Sequence, residues 1–193
     1  MIKNLFIILT IGLFLNSCGC IKMELTKEER NWCSYEKDEY LIFKSNLKNI
    51  DTLHVTDRYE SYTNEDCNNI SVSYYQLNYI NLTLMLKSKT KSVLISEISI
   101  QKNQDGDDSR PKISIFGLKS EYPENGHKAT KHKIKLKEFN KTYNNTYFFK
   151  DKVTATNIED GYLDSFYYDE KYGLVKYIAK DGESFELIKR IKN

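Results

Sequence analysis

The sequence predicts a mainly β fold, either an antiparallel sandwich or an open half-barrel, with one short helix near the N-terminus. Several stretches alternate apolar and polar residues with a period of two, as half-buried antiparallel strands do. Turn signals that contain glycine separate these stretches at short intervals. After Tyr35 no stretch repeats its apolar residues at the spacing of a helix, so the rest of the chain is expected to be sheet.

The first residues have the order of a secretory leader. Lys3 precedes the apolar run Leu5–Leu15, which is shorter than the ~20 residues that a membrane-spanning helix needs. Ser17 then places a small residue before Cys18, so residues 1–17 are predicted to be a signal peptide. The cysteine that follows resembles the lipobox of bacterial lipoproteins, whose mature N-terminal cysteine carries acyl chains such as palmitate. This resemblance implies that Cys18 is lipidated and attaches the protein to a lipid bilayer of the cell envelope, at the outer membrane.

After the leader, residues 18–25 are predicted to form a lipidated tether and residues 26–193 a single β-rich domain. A chain of this length can bury roughly 70% of its unfolded surface, so one core is sufficient. The domain is predicted to begin with a helix of two or three turns, because Thr26 and Glu29 have the spacing of a capping box. Trp32 follows on the same helix face as Glu29 and is expected to insert into the core.

The strands are predicted from alternation and from turns. Apolar residues alternate with polar ones in three stretches, at Leu53 and Val55, at Ile80–Leu86, and at Ile134 and Leu136. In Val72–Leu86 the apolar positions change from odd to even near Asn78, which predicts a bulge or a bend there. Turns at Tyr172-Gly173 and Asp181-Gly182 separate three apolar stretches and so predict a C-terminal three-stranded meander.

Two of the four cysteines fall within the predicted domain. Export places Cys33 and Cys67 in an oxidising compartment, where cysteines tend to pair. A Cys33–Cys67 disulfide is therefore predicted, and it would stabilise the fold by roughly 3–4 kcal/mol. The alternatives are that both remain buried thiols or that Cys20, in the tether, pairs with one of them.

Composition and motifs argue against several classes of function. The mature chain carries 28 Lys and Arg against 27 Asp and Glu, a balance that argues against nucleic acid as a partner. The motifs HExxH and GxSxG and a Gly-rich phosphate loop are absent. His127 and His132 are spaced for neither a strand face nor a helix face, and the acidic loop Asn103–Asp108 departs from the EF-hand pattern. We therefore expect no enzymatic activity, no metal and no cofactor.

Tyrosine is the most suggestive residue type for binding, with 15 in the chain. Its ring offers a large contact area and a polar tip. A binding surface is predicted at Tyr167, Tyr172 and Tyr177 in the C-terminal meander. The alternative is that these rings pack within the sheet, where tyrosine is also common.

The two ends of the domain carry a family resemblance. The segments LTKEERNWCSYEKDEYLIFKS (residues 25–45, followed by Asp51-Thr52) and FYYDEKYGLVKY (residues 166–177, followed by Asp181-Gly182) resemble the opening and the closing of small uncharacterised lipoproteins of Gram-negative bacteria. The resemblance implies a lipoprotein and a single domain, and it implies no activity.

Three functions are compatible with the sequence. The first is a non-enzymatic, membrane-anchored envelope lipoprotein that binds a protein or glycan partner. The second is a carrier that holds an apolar ligand inside a half-barrel, for which a large apolar cavity would be the sign. The third is a hydrolase with an unrecognised pair of carboxylates, which would lie ~5–9 Å apart in a cleft.

Overall fold

The computed structural model describes residues 20–65, 74–87, 93–109, 111–121, 131–137, 140–150 and 162–192. It confirms a mainly antiparallel β fold, in the form of a curled, open half-barrel with one short helix. The helix is α1 (Lys27–Arg30), and a 3-10 turn (Asn31–Cys33) continues it. The strands are β1 (Ile21–Met23), β2 (Tyr40–Ser45), β3 (Ile50–Tyr62), β4 (Tyr75–Lys87), β5 (Leu94–Gln101), β6 (Lys112–Ile115), β7 (Leu118–Glu121), β8 (Lys131–Leu136), β9 (Lys141–Lys150), β10 (Leu163–Asp169), β11 (Gly173–Ala179) and β12 (Ser184–Ile191).

The strands form one sheet in the order β7-β6-β5-β4-β3-β2-β12-β11-β10-β9-β8. The predicted C-terminal meander, β10 to β12, is confirmed, and antiparallel pairing of β12 with β2 joins it to the N-terminal strands. The sheet curls so that its two halves meet through side chains. Phe116, in the turn between β6 and β7, lies with its ring centroid 5.4 Å from that of Tyr177 on β11. The core therefore lies on the concave side of the curl.

The N-terminal segment closes part of this core. The capping box is confirmed, because Thr26 and Glu29 exchange both of its hydrogen bonds. The helix is shorter than predicted, with a single α-helical turn before the 3-10 turn. Trp32 is buried as expected and stacks on Tyr168, with 5.9 Å between the ring centroids. Part of the predicted tether is ordered as β1, which pairs in parallel with β4.

Strand β4 keeps one phase along its length, so the bulge predicted near Asn78 is wrong. The even-numbered residues from Gln76 to Leu86 are all buried. Asn78 is buried although it is polar, because its amide donates a hydrogen bond to the Ser61 carbonyl at 3.2 Å. The irregularity lies in the neighbouring strand β3, between Val55 and Asp57.

Cys33 is a free thiol, so the predicted Cys33–Cys67 disulfide is wrong. The 3-10 turn holds the Cys33 side chain inside the core, and this burial raises the pKa of its thiol to about 12. A buried, protonated thiol packs as a small apolar group and does not exchange with disulfides. Cys20 is disulfide-bonded, whereas Cys18 and Cys67 lie outside the described residues.

Candidate functional site

The three tyrosines predicted to form a binding surface lie in three different environments. Tyr167 is half-buried, and its ring centroid lies 4.8 Å from that of the exposed Phe148. Tyr172 is half-buried beside Lys141, whose Nζ is 4.2 Å from the centroid of the tyrosine ring. Tyr177 is fully buried. The structure therefore does not bring the three rings together on one face.

Tyr177 belongs to the core, and its expected place on an exposed surface is wrong. Its ring stacks on Phe185 with 4.7 Å between the centroids, and its hydroxyl donates a hydrogen bond to Oδ2 of Asp51 at 2.5 Å. Burial and the neighbouring Asp51 carboxylate raise the pKa of the Tyr177 hydroxyl far above its usual range. The hydroxyl that the sequence suggested for partner binding is thus used to satisfy a buried carboxylate.

A different pair of tyrosines, the exposed Tyr59 and the half-buried Tyr79, lies on the outer face of β3 and β4. Tyr59 is 48% exposed, and its ring centroid is 5.8 Å from that of Tyr79. The rings occupy diagonal positions of the paired strands, since Tyr59 lies opposite Asn81 and Tyr79 lies opposite Ser61. They line a groove of about 820 Å³, which we name the tyrosine groove.

The bulge in β3 turns Tyr59 outward. Before the bulge, the odd-numbered Leu53 and Val55 point into the core. Beyond it, the even-numbered Arg58 and Glu60 lie opposite buried residues of β4, so the odd-numbered Tyr59 takes the outer face. Sequence analysis missed this site because it assigned the irregularity to β4. The usable signal was the run of three polar residues, Thr56–Arg58, that interrupts the alternation of β3.

The other side chains of the tyrosine groove are mostly polar. Besides the two rings, they comprise four amides, three hydroxyls, one cation, one carboxylate and one aliphatic group, from Asn64, Asn81, Gln101, Asn103, Tyr62, Thr63, Ser99, Lys112, Glu65 and Ile100. A hydrogen bond with Tyr59 raises the pKa of the Tyr79 hydroxyl above its ordinary value, which already lies well above 7. The groove thus offers ring faces and many hydrogen-bonding groups with no excess of charge.

A second pocket, of about 580 Å³, lies where β9, the β10–β11 turn and the end of β12 meet. Tyr172 lines it, and so do Ser34 and several lysines. Arg190 holds two of its walls together by donating hydrogen bonds to the carbonyls of Ser34 (3.0 Å) and Tyr172 (3.3 Å). The guanidinium is paired with the fully buried carboxylate of Glu39. This pocket is therefore attached to the core by a buried ion pair.

Each buried carboxylate in the described part of the chain already has hydrogen-bond donors. Glu29 accepts from Lys102 at 2.9 Å and from the Ser109 hydroxyl at 2.6 Å. Burial by itself would raise the pKa of Glu29, but these and other hydrogen bonds hold it at about 2. Burial raises the pKa of Asp169, whose carboxylate accepts from two backbone N–H groups of the following turn. These contacts are those of structural carboxylates and do not support a hydrolytic pair.

Metal ligands and membrane-spanning helices were also sought within the described ranges. No three His, Cys, Asp or Glu side chains there come together in a group that could hold a metal ion. His132 is exposed on β8, and His127 lies outside the described residues. Within the same ranges, no helix has both the length and the apolar character needed to cross a membrane. No protein-family model, curated protein or solved structure matches the chain.

Proposed function

We propose that this protein is a non-enzymatic, membrane-anchored lipoprotein of the cell envelope that binds a protein or glycan partner through the tyrosine groove. The observation that carries the proposal is the pair of outward-facing rings, Tyr59 and Tyr79, within a groove of about 820 Å³. Two rings side by side supply contact area at a small cost in side-chain entropy. The amides and hydroxyls around them supply directional hydrogen bonds.

A carrier for an apolar ligand is less well supported, because side chains fill the concave side of the curled sheet. The ring of Tyr177 lies 5.2 Å from that of Phe43 and 4.7 Å from that of Phe185, centroid to centroid. Phe116 closes over the same ring from the opposite half of the sheet. An apolar ligand would have to displace these groups, whose burial stabilises the fold.

Tyr59→Ala is expected to weaken partner binding by roughly 30-fold, or about 2 kcal/mol, while changing stability by less than about 1 kcal/mol. The ring is half-exposed, so its loss opens no cavity in the core. Binding would be measured on an array of bacterial envelope glycans and by cross-linking to envelope proteins, with thermal unfolding in parallel.

The matched control is Tyr74→Ala, because Tyr74 is 67% exposed and does not line the groove. This variant should bind as the unmodified protein does. Equal binding by the Tyr59→Ala variant and the unmodified protein would contradict the proposed site.

The proposed anchor gives a separate expectation. The mature protein extracted from membranes should begin at Cys18 and carry at least two acyl chains, since a single chain gives only marginal membrane attachment. Mass spectrometry of the N-terminal peptide measures this directly. Cys18→Ala should release the protein into the soluble fraction or leave the leader uncleaved. Recovery of an unmodified mature chain from the soluble fraction of cells with intact Cys18 would contradict the anchor.

A further inference from the structure

We propose that the second pocket binds a phosphate group. We name it the basic pocket and define it by the side chains used in the argument: Ser34, Lys141, Lys171, Tyr172, Lys189 and Lys192. It shares no lining residue with the tyrosine groove, so the proposal stands independently of the partner-binding function.

The first argument is an excess of positive charge. None of the four lysines of the basic pocket forms an ion pair with a carboxylate in the described part of the chain. The charge of Arg190 beside them is balanced by Glu39. Asp169 lies close to Lys141 and offsets one positive charge, whereas the neighbouring Glu170 is paired with Lys131. The remaining lysine charge attracts an anion into a concave site, where the field is stronger than on a flat surface.

The second argument is an unused hydrogen-bond donor. The hydroxyl of Ser34 is buried and has no hydrogen-bond partner among the described residues. A buried hydroxyl without a partner costs roughly 1–3 kcal/mol. Because Ser34 lines the pocket, rotation about its χ1 would turn the hydroxyl towards a bound anion and recover this cost. The backbone of Ser34 is fixed, because its carbonyl accepts a hydrogen bond from Arg190. Ser34 is therefore held at the wall of the pocket, where only its side chain needs to turn.

The third argument is that two tyrosine rings hold the ammonium group of Lys141 in place. Nζ of Lys141 lies 4.2 Å from the ring centroid of Tyr172 and 4.8 Å from that of Tyr143. The two rings meet edge to face with 5.2 Å between centroids, so together they restrict this ammonium group. A lysine held in this way spends less side-chain entropy on binding than a free surface lysine.

The donor set suits phosphate better than a carboxylate. The pocket is lined by residues that carry four ammonium groups and one hydroxyl, and each ammonium group acts as a point charge without a planar fork. A phosphate group presents three or four oxygens in a tetrahedral arrangement and can accept from several walls at once. A carboxylate has two oxygens in one plane and would leave donors unused.

Titration calorimetry of the purified full-length protein in nonionic detergent, with inorganic phosphate and with glycerol 3-phosphate at constant ionic strength, tests the proposal. We expect a Kd at or below about 1 mM for at least one of the two. The Lys171→Gln/Lys189→Gln double variant should bind about tenfold more weakly. Its matched control is Lys119→Gln/Lys133→Gln, which removes two exposed strand lysines outside the pocket and should bind as the unmodified protein does.

Ser34→Ala separates a built site from general attraction, because it leaves the net charge unchanged. It should weaken binding about fivefold. Absence of binding at 10 mM, equal weakening in both double variants, or unchanged affinity in Ser34→Ala would each overturn the proposal. The source of the phosphate is then read from a third probe, glycerophosphoglycerol, the soluble headgroup of an anionic phospholipid. Tighter binding of this diester indicates a lipid headgroup, tighter binding of the monoester indicates a free phosphate compound, and both results support the site.

Discussion

Gly173→Ala is expected to lower the free energy of unfolding by roughly 3 kcal/mol. Gly173 begins β11 with φ +74°, in the left-handed region that side chains rarely adopt. A Cβ at this position would lie 1.9 Å from Oη of Tyr35. Tyr35 cannot move aside, because it is fully buried and its hydroxyl accepts a hydrogen bond from the Leu174 amide at 2.5 Å. Thermal or denaturant unfolding measures the change.

Gly182→Ala is the matched control for this substitution. Gly182 has φ +87°, and no atom of the described residues beyond its chain neighbours lies within 4 Å of the position that its Cβ would occupy. Gly182→Ala therefore has the same cost of a positive φ but no clash with a neighbouring side chain. Its free energy of unfolding is expected to fall by only about 1 kcal/mol. Equal losses of stability in the two variants would show that the clash between the added methyl group and Tyr35 contributes nothing.

Glu39→Ala is expected to cost about 3–5 kcal/mol, because it leaves a buried guanidinium without its partner. The Glu39 carboxylate accepts from Nε of Arg190 at 2.5 Å and from a second guanidinium nitrogen at 3.0 Å. Burial by itself would lower the pKa of Arg190, but the hydrogen bond from Arg190 to Glu39 and nearby charges raise it. That support is lost in the variant, but the ordinary pKa of arginine is so far above 7 that the guanidinium stays charged and must be hydrated or displaced. Denaturant unfolding of the variant measures the cost.

Two further variants make this prediction specific. Asp57→Ala removes the exposed Lys37–Asp57 pair, which is 3.6 Å apart, and should change stability by less than about 1 kcal/mol. The double variant Glu39→Ala/Arg190→Met removes both buried charges and should be more stable than Glu39→Ala alone. If the double variant is the less stable of the two, the cost arises from lost packing and not from an unpaired charge.

The features that the sequence predicted correctly are those set by local alternation of apolar and polar residues and by turn residues. The capping box at Thr26, the burial of Trp32 and the meander after Tyr172-Gly173 all follow from residues close to one another in the chain. The half-barrel and the sandwich could not be separated, because the same alternating strands build both. The choice depends on how far the sheet curls, which is set by contacts such as that of Phe116 with Tyr177.

The tyrosine groove was not predicted and Tyr177 was wrongly placed on the surface, because both depend on residues that are distant in the sequence. The buried face of β4 was assigned wrongly around Asn78. Tyr79 was counted as a core residue because it is aromatic, whereas the polar Asn78 is the buried residue. Asn78 can be buried only because residues of β3 and of the helix bond to it, and no local pattern shows this. Tyr177 was misassigned in the opposite sense, since its partner Asp51 lies on another strand.

The pairing of β2 with β12 has a consequence for the order in which the molecule can form. β2 begins at Tyr40, but its partner is the last strand of the chain, so one edge of the N-terminal strands stays open until Ile191 has been made. Closing so long a stretch of chain is slow. A polypeptide exported as proposed here must be threaded through a membrane before it folds. If the chain is exported as proposed, its sheet stays incomplete until β12 has crossed the membrane.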